Sequence, residues 1–348
     1  MTVKPAPRSI CLLRLSALGD AVHAVAVVRD LQQAFPGVPI TWVIGKGEAR
    51  LLEGLDGVEL VVFDKKAGLA AWRGLRRELA GRRFDVLLNL QLALRAGLAS
   101  TAIRAARRIG FDHGRSKEGH GLFINERIPA GGHHVQDAFR QFLLPLGATP
   151  GPIQWRLPVP AEAHDWAAAQ LPGETPTLLV SPCSSHALRN WRPERVAAVA
   201  DHAASRGWRV ALCGGRSTLE RDTADAILAA MRGPAVDLVG KDTLKQLLAL
   251  LGRARLVLTP DAGPSHMANA MGTAVLALHA CTDAERSGPY SDRRWTVNHY
   301  ETAARRFLGK PAAELPWGKR VELPGVMDLV QVDEVVERFE AFRAATGA

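Results

Sequence analysis

Short apolar runs alternate with longer amphipathic stretches along nearly the whole chain. In the first half, residues 10–15 (Ile-Cys-Leu-Leu-Arg-Leu), 40–44, 58–63, 85–90 and 108–111 read as strands, rich in Val, Ile and Leu. Between them, residues 20–35, 70–79 and 93–106 space their apolar positions every third or fourth residue and predict helices. A helix over 135–146 is expected to stop at Gly147, a plausible left-handed cap. Residues 149–176 then carry six prolines around a short helical piece at 162–170, which marks a domain boundary.

The alternation restarts beyond it. Strands are predicted over 177–180, 208–213, 236–239, 256–259 and 274–278, and helices over 193–205, 219–231, 244–251 and 265–271. The last helix carries Val332, Val335, Val336, Phe339 and Phe342 at helical spacing. Such alternation implies βαβ units on parallel sheets. The expected organisation is a Rossmann-like domain over 1–150, a second over 151–330, and a C-terminal helix over 331–348 that could pack back on the first domain. A length of 348 residues suits two cores, since single cores stop growing near ~250 residues.

Composition adds a charge argument. The net charge is +9, and Lys/Arg residues crowd between Lys65 and Lys117. A basic balance of this kind points to nucleic acid, an anionic membrane or phosphorylated substrates. Aromatic residues make up only 6% of the chain and are not interleaved with the basic run, which argues against stacking on nucleic acid bases. The four cysteines are far apart with no metal-ligand or redox spacing, and are expected to be reduced and buried in a cytosolic protein. The apolar run near the start is short and broken by Arg14, so it reads as a strand and not as a signal peptide; no run approaches the ~20 apolar residues that cross a bilayer.

The chemistry sits in the loops that follow strands, where open parallel sheets handle ligands. Ser16-Ala17-Leu18-Gly19-Asp20 leaves the first strand and enters a helix. There Ser16 can cap the turn, Gly19 frees the backbone, and Asp20 lies where the helix dipole favours an anion. Asp20 is therefore either a helix cap or a working carboxylate. In the second half, residues 181–191 put Ser184, Ser185 and Arg189 in one loop, a set that suits a phosphate. Cys213-Gly214-Gly215 precedes Glu220, which could accept from a ribose diol, and the absence of GxGxxG leaves a dinucleotide fingerprint unsupported. In residues 259–270, Asp261-Ala262-Gly263-Pro264-Ser265-His266 opens a helix whose first amides suit a diphosphate, with Asp261 better placed for sugar hydroxyls.

These residues, with Gln91, Gly110-Phe111-Asp112, His134, Trp191, Thr282-Asp283 and Gly288-Pro289-Tyr290, resemble the ADP-heptose:lipopolysaccharide heptosyltransferases of glycosyltransferase family nine over nearly the whole chain. The resemblance implies an α/β protein of the GT-B type, with two Rossmann-like parallel-sheet domains facing across a cleft. It implies an inverting, metal-independent transferase with an ADP-sugar as donor substrate and no cofactor. By the same resemblance Asp20 is the general base, and Ser184, Ser185 and Arg189 hold phosphates. Glu220 takes the ribose, Asp261 the heptose, and the Gly263, Pro264, Ser265 and His266 turn the diphosphate. Lys65, Lys66, Arg73, Gln91, Arg115 and Lys117 are expected to meet an anionic lipopolysaccharide-core acceptor such as Kdo-lipid A. The partners expected are thus ADP-heptose, that acceptor and the inner face of the cytoplasmic membrane, with no nucleic acid. The chain departs from the family pattern at Leu92, Ala284 and Lys117. Other readings are a family relative with a different sugar or acceptor, and a nucleotide-binding or nucleic-acid-binding protein without catalysis.

Overall fold

A computed structural model describes residues 5–347. It divides into two compact units, residues 1–158 and 159–348. The division falls inside the proline-rich stretch, eight residues beyond the expected boundary.

In the first unit the chain runs β1 (Ile10–Arg14), α1 (Leu18–Ala34), β2 (Ile40–Gly45), α2 (Lys46–Leu52), β3 (Val58–Phe63), α3 (Leu69–Glu78), β4 (Phe84–Asn89), α4 (Leu94–Ser100), β5 (Ala105–Gly110), β6 (Glu126–Arg127) and α5 (Val135–Arg140). All pairings are parallel, in the order β3-β2-β1-β4-β5-β6. Strand β1 is central, and Ile10 aligns with Ile40 on one side and Val86 on the other. Such strands are covered on both faces, which is why Ile10, Cys11, Leu12 and Leu13 are all apolar and fully buried.

Two boundaries moved for identifiable reasons. The helix expected over 93–106 ends at Ser100, and residues 105–110 form a strand. Arg108, predicted only as a strand residue, folds back to cap that helix: its guanidinium donates to the carbonyls of Ser100 and Ile103 at 2.9 Å each. The helix over 135–146 is α-helical only to Arg140 and continues as a 3₁₀ turn to Leu146. Pro145, which has no amide to give, lies in that turn, and Gly147 closes it at φ 78° as expected.

The second unit runs α6 (Ala161–Gln170), β7 (Thr177–Val180), α7 (Pro193–Ser205), β8 (Arg209–Leu212), α8 (Thr218–Ala230), β9 (Val236–Asp237), α9 (Leu244–Arg253), β10 (Leu256–Pro260), α10 (Gly263–Ala270), β11 (Ala274–His279), α11 (Ala284–Ser287), β12 (Val297–Asn298), α12 (Tyr300–Leu308) and α13 (Val332–Thr346). Its six strands are again parallel, ordered β12-β11-β10-β7-β8-β9. Helix α13 packs within this unit. Its Val335, Phe339 and Phe342 stripe enters this unit's own core. The Phe339 ring lies 5.0 Å from Trp208 and Phe342 lies 5.3 Å from Trp295. Those two indoles supply the apolar partner the stripe needs.

Candidate functional site

Each sheet reverses its strand order once, between β1 and β4 in the first unit and between β7 and β10 in the second. At such a reversal the connections diverge to opposite faces and open a crevice beyond the carboxyl ends of the strands. The loops singled out by sequence follow these strands: Asp20 after β1, Gln91 after β4, Arg189 after β7 and Asp261 after β10.

In the first unit Asp20 is the third residue of α1, its side chain 32% exposed. The N-cap is Ala17, not Ser16, so the backbone amide of Ala17 is met by the Asp20 carboxylate at 3.2 Å. The same carboxylate is ion-paired to Arg14. Arg14 ends β1 with a guanidinium that also donates to the Leu90 carbonyl at 2.5 Å and lies over the Phe139 ring at 5.2 Å. Asp20 is thus both a helix-start residue and one end of an oriented ion pair. Ser16 instead accepts from Gln91 Nε2 at 3.3 Å, while Gln91 Oε1 takes the Leu15 amide at 2.7 Å. Gln91, expected to meet an acceptor, therefore fixes the loop that presents Asp20.

The basic acceptor residues divide. Lys65 and Lys66 are exposed in the turn before α3, Arg73 is exposed on α3, and Lys117 is exposed in the turn before a 3₁₀ segment. Arg115 is not on the surface: it is 4% exposed, ion-paired to Asp112, and donates to Pro129 O at 3.0 Å and Gln141 Oε1 at 2.8 Å. The crowding of basic residues in sequence does not separate a surface cation from one that braces a loop. Burial works against ionisation of Asp112, but Arg115 and the amides of Arg115 and Gly114 hold its carboxyl below the usual range.

In the second unit a buried polar cluster surrounds Asp261. Ser287 Oγ donates to Asp261 Oδ2 at 3.1 Å, and His266 Nε2 lies 3.8 Å from Oδ1. Burial opposes the charge, yet His279, His266, the Thr282 hydroxyl and Arg189 together hold the carboxyl at about 2. His279 Nδ1 is 3.1 Å from Thr282 Oγ1; burial pushes the His279 imidazole down, and the Asp261 carboxylate opposes that shift. Helix α10 starts at Gly263, one residue before the expected proline, and its N-cap Ala262 supplies no side-chain acceptor. The Ser265 hydroxyl is fully buried at that end without a hydrogen-bond partner.

Of the remaining donor-side residues, Ser184 and Glu220 are engaged within their own loops and Arg189 is held by a residue far along the chain. Arg189 Nε and Nη2 both lie 2.6 Å from Glu322 Oε1. Ser184 Oγ is tied to the His186 backbone, donating to its carbonyl at 2.9 Å and accepting from its amide at 3.2 Å, whereas Ser185 is exposed. Glu220 Oε1 takes the Gly215 amide at 2.7 Å and Oε2 takes the Ser217 hydroxyl at 2.6 Å. A Cβ at Gly215 would lie 2.8 Å from that carboxylate, so a larger residue there would displace the Glu220 side chain.

Sequence reading missed Arg14, His279, Ser287 and Glu322. The first two had a legible signal, a polar residue at the last position of an apolar strand. Glu322 had none: it reaches Arg189 because the Val321 amide bonds to the Cys281 carbonyl at 2.9 Å, a pairing across 40 residues.

Comparison with known proteins agrees with this layout. The sequence profile of glycosyltransferase family 9 (heptosyltransferase) matches residues 72–317. The chain is 37% identical to the lipopolysaccharide core heptosyltransferase OpsX of Haemophilus influenzae, over 95% of this chain and 96% of that protein. It is 23% identical to lipopolysaccharide heptosyltransferase 1 of Pseudomonas aeruginosa, over 81% of each. Among solved structures, a family 9 glycosyl transferase from Veillonella parvula superposes with a TM-score of 0.79 at 20% identity, covering 99% of both chains. The E. coli ADP-heptose lps heptosyltransferase II does so with a TM-score of 0.72 at 18% identity, covering 98% of this chain and 100% of that one. The chain belongs to glycosyltransferase family 9, and its two parallel α/β sheets are the paired Rossmann-like domains of a GT-B glycosyltransferase.

Proposed function

We propose that the protein transfers heptose from ADP-L-glycero-D-manno-heptose to the inner core of lipopolysaccharide, with Kdo-lipid A or heptosyl-Kdo-lipid A as acceptor. The observation that carries this reading is the 37% identity, across 95% of the chain, to a lipopolysaccharide core heptosyltransferase. The loops at the two strand-order reversals supply the groups the reaction needs. Asp20 takes the proton from the attacking acceptor hydroxyl, a contribution of about 10²–10⁴-fold for general-base catalysis. That oxygen bonds to the anomeric carbon as the carbon–oxygen bond to ADP breaks, with inversion. Negative charge then builds on the departing diphosphate, where Arg189 and the amides at the start of α10 meet it; a preorganised donor of this kind is worth about 3 kcal/mol. Asp261 accepts from sugar hydroxyls, Glu220 from the ribose, and Ser184 and Ser185 assist at the phosphates. Lys65, Lys66, Arg73 and Lys117 attract the anionic acceptor.

No metal or cofactor enters this scheme, and transfer in the presence of EDTA is the expected outcome. We place the enzyme at the inner face of the cytoplasmic membrane, where a lipid-borne acceptor is reached. Among the described residues no helix is long and apolar enough to cross a membrane, so the contact would be peripheral. The test is ADP release from ADP-heptose with acceptors that end at successive inner-core sugars. Turnover with one of them, lost in Asp20→Ala while ADP still binds, is expected. No turnover with any of them, but turnover with another nucleotide sugar, would overturn the donor assignment.

A further inference from the structure

Six large apolar side chains of the first unit are exposed among the described residues, and four of them lie on neighbouring elements: Leu69 is 71% exposed, Leu94 46%, Leu98 53% and Leu122 85%, the other two being Val62 and Leu144. The elements that carry the four touch. Helices α3 and α4 bury their inner sides in one core cluster, through Leu75 and the C-cap Leu79 on one and Ala96 and Ala99 on the other. The Trp72 indole, one turn beyond Leu69, donates to Thr101 Oγ1 at 3.0 Å, just past the end of α4. Leu94 and Leu98 are four residues apart on α4 and share a face. The 3₁₀ turn that carries Leu122 packs against the same helix. Its Phe123 ring occupies the space beside Gly97, where a Cβ would come within 2.4 Å, and Glu118 Oε2 accepts the Leu94 amide at 2.8 Å.

The ground around these leucines is cationic. From Asp64 to Arg83 the chain has seven Lys or Arg residues against two acids. Lys65, Lys66 and Arg73 are exposed there, as are Arg95 on α4 and Lys117 beside the 3₁₀ turn. Protruding aliphatic side chains set among exposed cations suit one occupant in particular. Leucines gain by entering hydrocarbon at the headgroup boundary, and lysines and arginines gain near anionic headgroups. A nucleic acid would leave the leucines in water. Moreover, α3 and α4 follow β3 and β4, so their first residues lie at the carboxyl edge of the sheet, the edge that carries Asp20 and Gln91.

We propose that the α3–α4 face, with the Leu122 turn, docks on the surface of an anionic lipid bilayer. It rests on the proposed function only in that docking there would bring Asp20 to a lipid-anchored acceptor. The test uses the full chain and vesicles of phosphatidylglycerol with phosphatidylcholine, or of phosphatidylcholine alone. Wild type is expected to sediment with the anionic vesicles and far less with the neutral ones. Leu98→Glu/Leu122→Glu should weaken that binding by about tenfold or more. Leu98→Ser/Leu122→Ser, which adds no charge, should weaken it in the same direction. Both pairs should keep wild-type turnover on a water-soluble, deacylated acceptor and lose it on an acceptor embedded in vesicles. Unchanged sedimentation of both double variants overturns the proposal. So does a wild type that ignores vesicles while its sedimentation mass shows self-association abolished by the leucine changes. Failure of transfer on every acceptor, with vesicle binding intact, would instead count against the proposed function and leave the docking surface standing.

Discussion

If Asp20 is the base, Arg14 is its positioning residue, and a double-mutant cycle separates the two roles. The Arg14 side chain is 12% exposed; it pairs with Asp20, donates to the Leu90 carbonyl at 2.5 Å and covers the Phe139 ring. Arg14→Gln removes the charge and shortens the reach, so Asp20 loses the partner that aims it. A hydrogen bond to a charged group is worth about 1.5–3 kcal/mol. If that orientation is needed in the transition state, kcat falls about 10–100-fold. Asp20→Ala should cost about 10²–10⁴-fold. Because Arg14 acts through Asp20, adding Arg14→Gln to Asp20→Ala should change kcat by less than about twofold. ADP release measures kcat, and titration calorimetry should give an ADP affinity unchanged in all three variants. Arg14→Lys, which keeps the charge without the fork, should retain part of the activity. Losses that multiply across the cycle would refute the reasoning, since Arg14 would then act on something other than Asp20.

Three further outcomes follow from burial and charge. Arg115→Ala should destabilise the fold by about 3–5 kcal/mol in urea unfolding, because it strands the buried Asp112 carboxylate; Lys117→Ala, at an exposed position, should leave stability alone and raise the acceptor KM. His120 is 1% exposed and accepts the Phe111 amide at 3.1 Å, and burial, helped by Arg127, lowers its imidazole to about 4. It stays neutral in the fold, so its contribution is complete above pH 6.5 and is lost as pH falls from 6.5 towards 4, up to about 3 kcal/mol, and His120→Asn should flatten the stability curve in that window. Asp261, held at about 2, gives stability that is complete above pH 4 and lost between about 4 and 2, so Asp261→Asn should cost about 2 kcal/mol at neutral pH and remove the dependence in the acid window.

What sequence could convey depended on the range of the interaction. Strands such as Ile10–Arg14 and Leu256–Pro260 declared themselves because a doubly covered strand must be apolar throughout. The loops after them were legible for a related reason: small and polar residues interrupt the apolar rhythm where the chain must turn. Asp20 and Asp261 stand out that way, and the family resemblance implies roles for them. The sequence did not reveal where side chains go once the loops close. Gln91 turns back to Leu15 and Ser16 and Arg115 turns inward to Asp112, and a list of basic or polar residues does not distinguish that from facing a ligand. Helices α2, α11 and α12 and the two-residue strands β6 and β12 were passed over; the strands are too short for periodicity to register. Helix α13 is legible from its apolar stripe, but the stripe does not name its partners; Trp208 and Trp295 are identified only once folded.

The pairing of Arg189 with Glu322 poses a question that one substitution answers. An arginine that meets a diphosphate should carry its full charge, yet here two of its nitrogens lie 2.6 Å from one carboxylate oxygen, and the pair is close to neutral. Burial resists the Glu322 charge, but Arg189 and Arg320 hold its carboxyl below the usual range, so it remains an anion. Two like unit charges about 7 Å apart, at an effective dielectric near 20, repel by about 2 kcal/mol. With Arg189 at the diphosphate, as proposed, such a device would limit how tightly ADP is held and favour its release after transfer. Glu322→Gln keeps an oxygen that can accept from both Arg189 nitrogens while removing the charge. It should therefore bind ADP about thirtyfold more tightly by calorimetry, with a lower kcat wherever ADP release limits turnover. Glu322→Asp keeps the charge but shortens the reach, and should not tighten binding. Weaker ADP binding in Glu322→Gln would mean that the carboxylate serves to aim Arg189 and does not moderate its charge.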